Sequence, residues 1–374
     1  MKHIAIIQNI GWGTYNFRKD LISYFIQKGY KVSVFTKFDE YIPQLQALGC
    51  ECFPLENMNL KGLNPFQDLK LTFEYYTLFK KHHIDFALLY TPKVTIYASI
   101  AAQFSKTKSI ATINGLGTVF NPNQSSFIQK IVVSLYRFAF RKSPITFFQN
   151  TDDRSFFLEK KIINSIEKTL VVKGSGIDLQ RFYPKQYDEN KNTIVFAFAA
   201  RMLVEKGIYE YIDAARRVKA KFQDQVQFAI IGSTSFFPGN IDQEKILNAE
   251  KDQVVSFWGG TDNMSETLDR VDVLVLPSYY REGVPRILIE GLSKGLPIIT
   301  TNNVGCKETV EENKNGYLVN IKDVNSLEKA FIKMTMLSPR ERIQMGHYSR
   351  HKATTECANE IIFQKYDEYI EKLS

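Results

Sequence analysis

Short apolar runs alternate along this chain with longer stretches in which apolar residues recur every three or four positions. This alternation predicts strands connected by amphipathic helices. In the first half we expect strands at residues 3–8, 31–36, 51–55, 85–90, 109–113 and 145–149, and helices at 16–28, 66–82, 93–104 and 127–142. Because the strands are continuously apolar, they favour a parallel sheet covered on both faces.

The pattern restarts after a polar stretch at residues 188–192. Strands are expected at 193–199, 226–231, 254–258, 271–277 and 297–301, and helices at 204–222, 242–250, 264–270 and 285–294. We therefore predict an α/β fold of two Rossmann-like, doubly wound domains facing each other across a cleft, where open sheets bind ligands. We place these domains at 1–187 and 188–348, followed by a C-terminal helix within 349–374 that packs back toward the N-terminal domain.

Composition is that of a folded, water-soluble chain. Of the 374 residues, 44% are hydrophobic and 24% are charged, which excludes a disordered or low-complexity protein. No segment has the roughly 18–20 uninterrupted apolar residues of a membrane-spanning helix, and the first residues resemble a strand more than a signal peptide. The four scattered cysteines show neither metal-binding nor disulfide spacing. We expect a cytoplasmic protein that can lie peripherally on the inner face of the plasma membrane.

Charge is distributed unevenly between the two halves. Residues 1–185 contain 24 Lys and Arg against 13 Asp and Glu, a net +11, whereas residues 186–374 contain 24 against 27, a net −3. The first half is therefore expected to meet an anionic partner, such as a phosphorylated ligand, an anionic bilayer or nucleic acid.

The segment at residues 276–291 carries the strongest chemical signal. It reads LPSYYREGVPRILIEG and places Glu282 in a loop after a strand and Glu290 inside the helix that Pro285 would begin. Amides at a helix N-terminus can hold phosphate, and carboxylates beside them can accept hydrogen bonds from sugar hydroxyls. The alternative is a helix with one capping and one solvated glutamate.

A second segment, ARMLVEKG at residues 200–207, also follows a strand and precedes a helix. It places Arg201 and Lys206 at the carboxyl end of the strand, where a guanidinium and an ammonium together suit a diphosphate. The alternative is a pair of ordinary surface charges.

Together the two segments resemble the nucleotide-sugar half of the retaining glycosyltransferases of family 4, which have the GT-B fold. The resemblance rests on Glu282 and Glu290 with seven residues between them, on Arg201 and Lys206, and on Gly232 after an apolar strand. It extends to WGG at 258–260 and PIITT at 297–301, and it covers most of residues 193–320. The sequence YREGVPR is similar to bacterial members that build surface polysaccharides and undecaprenyl-diphosphate-linked sugars, such as the N,N′-diacetylbacillosaminyl-diphospho-undecaprenol GalNAc transferases.

The resemblance implies a nucleotide-diphosphate sugar as donor, UDP-linked by preference, and a polyprenyl-diphosphate-linked saccharide as acceptor. It implies that Arg201 and Lys206 bind the donor diphosphate and stabilise its charge as it leaves. Glu282 would hold hydroxyls of the transferred sugar, and Glu290 those of the ribose. The other donor-binding positions that it implies are Gly13, Gly232, Gly259, Ser278, Gly283 and Val284, with the backbone near Gly232 and Gly259 framing the base. The N-terminal domain would then bind the acceptor and the C-terminal domain the nucleotide sugar.

No cofactor is expected. Breaking a glycosyl–phosphate bond builds negative charge on the diphosphate, and fixed cations can stabilise that charge without a metal. The sequence contains no Asp-x-Asp motif. No carboxylate stands out as the nucleophile that a retaining enzyme would use, and the resemblance implies attack on the same face, assisted by the leaving phosphate.

The N-terminal half offers two glycine loops. Gly11 and Gly13 follow the first strand, but Asn16 stands where a dinucleotide-binding motif has its third glycine, which disfavours such a site. The resemblance implies that this loop approaches the donor phosphates and acceptor; a structural tight turn is the alternative. Asn114 and Gly115, after the fifth strand, are expected on the acceptor side. Many relatives have a His near Asn114, and its absence leaves open which N-domain group meets the reacting sugar.

The helix expected at 127–142 is apolar with interspersed Lys and Arg. This composition suits either a helix at an anionic membrane surface or a core helix with cations at its C-terminal end.

Two other functions stay open for the whole chain. One is a related sugar-nucleotide epimerase, which would form product without an acceptor. The other is a non-catalytic basic protein that binds membrane or nucleic acid, although no RNA-binding or zinc signature accompanies its aromatic residues, so nucleic acid is not expected as a partner.

Overall fold

The computed structural model describes residues 1–60, 62, 64–120, 125–233 and 241–374. The chain divides into two compact units. The first consists of Met1–Gly176 and Asn359–Ser374, and the second of Ile177–Ala358. Each unit is built around its own parallel sheet, so the prediction of two Rossmann-like α/β domains is confirmed.

The first unit contains a seven-stranded sheet in the order β3-β2-β1-β4-β5-β6-β7, and all paired strands are parallel. Its strands are β1 (His3–Ile10), β2 (Lys31–Lys37), β3 (Glu51–Pro54), β4 (Phe86–Tyr90), β5 (Lys108–Ile113), β6 (Ile145–Phe148) and β7 (Thr169–Val171). The helices between them are α1 (Gly11–Gln27), α2 (Ile42–Ala47), α3 (Pro65–Lys81), α4 (Pro92–Gln103), α5 (Ser126–Phe140) and α6 (Thr151–Glu159).

The second unit contains a six-stranded parallel sheet in the order β10-β9-β8-β11-β12-β13. Its strands are β8 (Ile194–Ala199), β9 (Val226–Ile231), β10 (Ser256–Gly259), β11 (Val273–Leu276), β12 (Ile298–Thr301) and β13 (Gly316–Val319). Its helices are α7 (Ile208–Phe222), α8 (Gln243–Lys251), α9 (Met264–Asp269), α10 (Arg286–Ser293), α11 (Val324–Met336) and α12 (Pro339–Lys352). The last helix of the chain, α13 (Asn359–Leu373), belongs to the first unit.

The two faces of the first sheet bury separate apolar cores. One core packs α3, α4 and α5 against the sheet. The other is formed with α1 and α13, whose buried residues include Ile362, Phe363, Tyr366 and Ile370. The return of the C-terminal helix to the first unit therefore supplies part of the cover that a parallel sheet needs on both faces.

Most expected elements are present, and the differences have local causes. Helix α1 begins at Gly11, five residues earlier than expected, because the glycine loop is itself the first helical turn. The short elements α2, α6, β7 and β13, and helices α11 and α12, were not expected. The division between the units follows Gly176, whereas the sequence placed it at 187, because residues 177–187 hydrogen-bond to the second unit, as Lys185 does through its amide to the Lys294 carbonyl.

The prediction of a single helix over residues 349–373 is wrong. Helix α12 ends at Lys352, one π-helical turn covers Ala353–Cys357, and Ala358 is extended (φ −58°, ψ 146°) before α13 begins. The break contains neither Gly nor Pro, so no helix-stop residue marks it in the sequence.

Parallel strands bring the loops that follow them to one edge of each sheet. In the first unit this edge carries the start of α1 and the residues after β4 and β5. In the second unit it carries the residues after β8, β9, β10, β11 and β12. Every site residue predicted from the sequence follows one of these strands or lies in the helix that comes next.

Candidate functional site

The turn after β8 is held against the loop after β11 by the backbone. Both the Tyr279 amide and the Tyr280 amide donate to the Glu205 carbonyl, at 2.9 and 3.2 Å. Gly207 adopts a left-handed conformation (φ +81°), and a Cβ there would overlap the Pro277 carbonyl oxygen. Only glycine fits at that point without moving the two loops apart.

This contact brings Lys206 to Glu282. The Lys206 ammonium forms an ion pair with the Glu282 carboxylate, and the two side chains are 7% and 19% exposed. The Lys206 ammonium also lies 5.7 Å from the centre of the Tyr280 ring. The Ser278 hydroxyl, which is fully buried, lies 3.3 Å from both the Glu205 carbonyl oxygen and Glu282 Oε1. The Glu282 carboxylate offsets the cost of sheltering the Lys206 ammonium from water, because an unpaired buried charge is costly.

Arg201 lies earlier in the same turn and is exposed. Its positive charge lowers the pKa of the Tyr280 phenol, against the stronger effect of burial, which raises that pKa. Arg201 is thus close enough to act electrostatically on the loop that carries Glu282. The structure therefore brings the three residues predicted as catalytic, Arg201, Lys206 and Glu282, to one end of the second sheet.

The loop after β12 supports Glu282 from the other side. Gly305 has φ +82°, and a Cβ there would overlap the Gly283 carbonyl oxygen. The Asn303 side-chain amide donates to the carbonyl of Tyr280 at 3.1 Å. Sequence analysis missed Asn303 and Gly305, although an Asn-Asn-Val-Gly turn directly after a strand is a recognisable signal.

Cys306, in the same loop, is fully buried. Burial raises the pKa of its thiol to about 12, and the nearby Glu282 carboxylate acts in the same direction. The thiol therefore stays protonated, and it lies close enough to the ion pair to interact with the charges of Glu282 and Lys206. From the sequence, this cysteine was considered only for metal-binding and disulfide spacing.

Glu290 lies in the second turn of α10, as predicted. Its Oε1 accepts from Arg286 Nε at 3.1 Å. Burial raises the pKa of Glu290 above the ordinary glutamate value, and the charges of Arg286 and Arg181 offset part of that rise. Helix α10 begins at Arg286, and its N-cap residue Pro285 makes no side-chain hydrogen bond to the first turn.

Gly232 and Gly259 are joined directly, since the Gly232 amide donates to the Gly259 carbonyl at 2.8 Å. A Cβ on Gly232 would lie 2.5 Å from the Ala200 carbonyl oxygen, so this glycine packs against the turn that carries Arg201. Gly259 has φ +76°, and a Cβ built there would have no neighbour within 4 Å. Among the described residues, Gly259 therefore presents open backbone beside Gly232 and the Arg201 turn, which suits contact with a flat base.

Gly283 and Val284 differ in what they offer. Gly283 lies beside Glu282 in the loop that Gly305 supports. The Val284 side chain is buried in a small apolar cluster with Ile177, Phe182, Ile289 and Cys357. Any donor contact at Val284 is therefore restricted to its backbone.

The remaining predicted residues lie in the first unit. Gly13 is in the first turn of α1, where the Trp12 amide donates to Asp39 Oδ2 at 2.6 Å. A carboxylate of the chain thus occupies the position that an anion would take at this helix N-terminus. Asn114 and Gly115 (φ +100°) follow β5, and the Asn114 Oδ1 atom is shielded from water without a hydrogen-bond partner.

Comparison with known proteins assigns both halves of the chain. Residues 180–352 match the family model for glycosyl transferases group 1, and residues 3–150 match that for glycosyl transferase 4-like proteins. The chain is 25% identical to the N,N′-diacetylbacillosaminyl-diphospho-undecaprenol alpha-1,3-N-acetylgalactosaminyltransferase of Campylobacter jejuni, over 92% of this chain and 91% of the relative. It is 23% identical to the UDP-Gal:alpha-D-GlcNAc-diphosphoundecaprenol alpha-1,3-galactosyltransferase of Escherichia coli, over 74% and 72%.

Solved structures share the fold at low sequence identity. A glycosyltransferase from Rickettsia africae superposes with a TM-score of 0.80 at 18% identity, covering 99% of this chain and 98% of that one. Anabaena Alr3699/HepE in complex with UDP and glucose gives 0.78 at 16% identity, with both chains fully covered. With both halves matched, the chain belongs to the glycosyl transferases, combining a 4-like N-terminal domain and a group 1 C-terminal domain in the GT-B fold.

Proposed function

We propose that this enzyme transfers a sugar from a UDP-linked donor to an undecaprenyl-diphosphate-linked saccharide during assembly of a bacterial surface glycan. The observation that carries the proposal is the sheltered Lys206–Glu282 pair beside Arg201. It offers two cations for a diphosphate and a carboxylate for sugar hydroxyls at one sheet edge. The two relatives named above act on undecaprenyl-diphosphate-linked sugars, and one of them on UDP-Gal, as their names state.

In the proposed reaction the bond between the sugar C1 and the donor phosphate oxygen breaks, and the diphosphate keeps the electron pair. Lys206 and Arg201 stabilise the charge that develops on the diphosphate. An acceptor hydroxyl forms the new bond to C1 on the face that the diphosphate leaves, and its proton passes to the leaving phosphate. The configuration at C1 is then retained, and neither a metal ion nor a protein nucleophile is required.

Donor binding would rearrange the ion pair. As the diphosphate approaches, Lys206 gains a second anionic partner, and Glu282 becomes free to accept hydrogen bonds from the transferred sugar. Glu290 would hold the ribose hydroxyls. The open backbone at Gly259, joined to Gly232, would receive the base, and Ser278 and Gly283 would line the loop that holds the sugar. On the first unit, Asn114 and Gly115 would contact the acceptor.

The first experiment is calorimetry of the purified protein with UDP and with GDP in the presence of EDTA. We expect UDP to bind, binding to be lost in Glu290→Ala, and Arg201→Ala to reduce turnover more than affinity. Transfer is then assayed with the two undecaprenyl-linked sugars named for the relatives. Product that forms from UDP-sugar without any acceptor would favour an epimerase, and a folded protein that binds neither nucleotide would contradict the donor site.

We also propose that the first unit rests on the anionic membrane that carries the acceptor. Helix α4 packs between α3 and α5. The outer faces of α3 and α5 expose large apolar side chains between 40% and 80%: Phe66, Leu69 and Phe73 on α3, and Phe127, Ile131 and Phe138 on α5. Exposed cations lie among them, including Lys70, Lys80, Lys130, Arg137 and Arg141. Apolar side chains mixed with cations suit the interface of an anionic bilayer.

The alternatives for the helix at 127–142 turn out to be compatible. Its inner face is core, since Val132, Val133, Tyr136 and Phe140 are buried. Its outer face carries the exposed apolar and basic side chains of the proposed membrane surface. No helix among the described residues is both long and apolar enough to cross a bilayer.

A further inference from the structure

Three adjacent strands of the first sheet end in side chains with an oxygen atom that has no hydrogen-bond partner among the described residues. The atoms are Gln8 Oε1 near the end of β1, Thr91 Oγ1 directly after β4 and Asn114 Oδ1 directly after β5, and each is shielded from water. The strands are neighbours in the order β1-β4-β5, with Ile7 beside Leu89 and Tyr90 beside Thr112. The three residues therefore lie at the carboxyl ends of neighbouring strands, whose backbones are about 5 Å apart. A shielded oxygen without a partner needs an explanation, because folding has removed its water.

Thr91 shows the strongest departure from ordinary geometry. It has φ +72° and ψ 147°, although β-branched residues strongly avoid positive φ. It is also the N-cap of α4, where a threonine hydroxyl usually accepts from an amide of the first turn, yet it makes no such bond. The backbone thus holds the Thr91 hydroxyl away from its own helix, and strain of this kind concentrates at ligand sites.

Gln8 is 5% exposed. Its side-chain amide lies against the first turn of α1, where a Cβ on Gly13 would overlap Gln8 Nε2. Gly13 therefore leaves the room that the Gln8 amide occupies. This contact links Gln8 to a loop already predicted to meet the substrates.

The chemistry of the three groups selects their ligand. Two are amide oxygens, which only accept hydrogen bonds, and the third is a hydroxyl, which can accept one. A phosphate group offers no proton to the two amide oxygens. A sugar offers several hydroxyls, and an N-acetylated sugar adds an amide N–H. The oxygens therefore fit a glycosyl group better than a diphosphate.

We infer that Gln8, Thr91 and Asn114 form a subsite for the terminal sugar of the acceptor, on the first unit. The inference rests on the proposed function, and it adds Gln8 and Thr91 to the residues that recognise substrate. Sugar hydroxyls that bind here complete the hydrogen bonds that the folded chain leaves unmade.

The test compares near-isosteric apolar variants of the full-length enzyme, Thr91→Val and Gln8→Met, with Ser99→Ala as the matched control. Ser99 is fully buried on α4 and its hydroxyl also lacks a partner. Steady-state kinetics are measured with the undecaprenyl-diphosphate-linked sugars named for the relatives as probes, and thermal unfolding is recorded in parallel. We expect KM for the acceptor to rise about tenfold or more in both variants and KM for the donor to stay within about twofold. Ser99→Ala should change neither.

Stability supplies a second readout. If the subsite is empty until the acceptor binds, removing an unpaired oxygen leaves Tm unchanged or raises it. A structural role would instead lower Tm and leave the acceptor KM unchanged. An acceptor KM that is unchanged in both variants, or a donor KM that rises as much, would overturn the subsite. Failure of the proposed function looks different, since the wild-type enzyme would then transfer to neither probe, and that outcome would overturn both proposals.

Discussion

Lys206 and Glu282 lie 76 positions apart in the chain and form a sheltered ion pair at the carboxyl edge of the second sheet. The pair exists because two loops are joined through the Glu205 carbonyl and the close approach of Gly207 to Pro277. A cation that is already positioned can stabilise a leaving diphosphate without waiting for the protein to reorganise.

We predict that Lys206→Met lowers turnover about 100-fold or more, because a single fixed group that stabilises charge in the transition state contributes to the rate on that scale. UDP affinity should fall less than turnover. The matched control is Lys221→Met, which breaks the surface ion pair with Glu328 between α7 and α11. Because Lys206→Met removes the cationic partner of Glu282, circular dichroism and Tm should be recorded for it and for the double variant Lys206→Met/Glu282→Gln. Turnover close to wild type in a folded Lys206→Met enzyme would contradict the diphosphate role.

Donor binding should weaken on acidification at a higher pH than an exposed glutamate would cause. Burial raises the pKa of Glu290, so its carboxylate gains a proton while ordinary glutamates are still ionised. The protonated group is a weaker acceptor for ribose hydroxyls, and UDP affinity should fall by up to about tenfold per pH unit below that pKa. Calorimetry across the acidic range measures this.

The control for that series is Glu290→Gln, which should bind UDP more weakly than wild type and lose this pH dependence. Glu328→Gln, which removes the carboxylate of the surface ion pair between α7 and α11, should keep the pH dependence. An identical pH profile in wild type and Glu290→Gln would show that another group controls donor binding.

Gly305→Ala should disable donor binding by displacing the Glu282 loop. The new Cβ would meet the Gly283 carbonyl, and the residue would also be held at φ +82°. Positive φ alone costs about 1–3 kcal/mol for a non-glycine residue. Gly29→Ala is the matched control, because Gly29 has φ +83° and nothing within 4 Å of the added Cβ. Chemical denaturation should show a lower free energy of unfolding in both variants. Calorimetry should show a loss of UDP binding in Gly305→Ala alone.

Chelation should leave the enzyme active. The two cations proposed for the diphosphate belong to the chain, so UDP affinity and turnover in EDTA should match those in buffer without it. Loss of turnover that Mg²⁺ or Mn²⁺ restores would contradict the proposal that Arg201 and Lys206 replace a metal.

Binding to phosphatidylglycerol vesicles should depend on α3. Replacement of Phe66, Leu69 and Phe73 by Ser should reduce flotation with these vesicles, and salt should weaken the binding of the wild type, because part of the attraction is electrostatic. The control replaces Leu247 and Met336, two exposed apolar residues of the second unit, by Ser. Equal flotation of both variants, or equal binding of the wild type to phosphatidylcholine alone, would contradict the proposed membrane surface.

The sequence was sufficient for the central strands of both sheets, because these strands are continuously buried and apolar, but it did not predict the short edge strands β7 and β13. It also located Glu290 correctly, since a helix of known start fixes the position of a residue one turn inside it. It could not show that Lys206 and Glu282 meet, because that contact depends on the left-handed turn at Gly207. Nor could it show that the Val284 side chain packs into a core cluster, since an apolar residue in a loop has no periodic pattern to indicate its direction.

The unpartnered oxygens were beyond sequence reasoning for a related reason. Gln8 and Thr91 are ordinary residues at the ends of strands, and only coordinates reveal that their polar atoms lack partners. Asn114 was found through its resemblance to a position in known enzymes. Thr91 gave no such signal, because no residue pattern around it predicts its positive φ.

The first unit is built from two separate segments of the chain, and this has a consequence for synthesis of the protein. Ile362, Phe363, Tyr366 and Ile370 cover part of one face of the first sheet, yet they are translated after the whole of the second unit. Domains usually fold in order as they emerge from the ribosome. Here the second unit is fully synthesised before the first can bury that face, so the first half of the chain leaves the ribosome with an apolar sheet surface still uncovered.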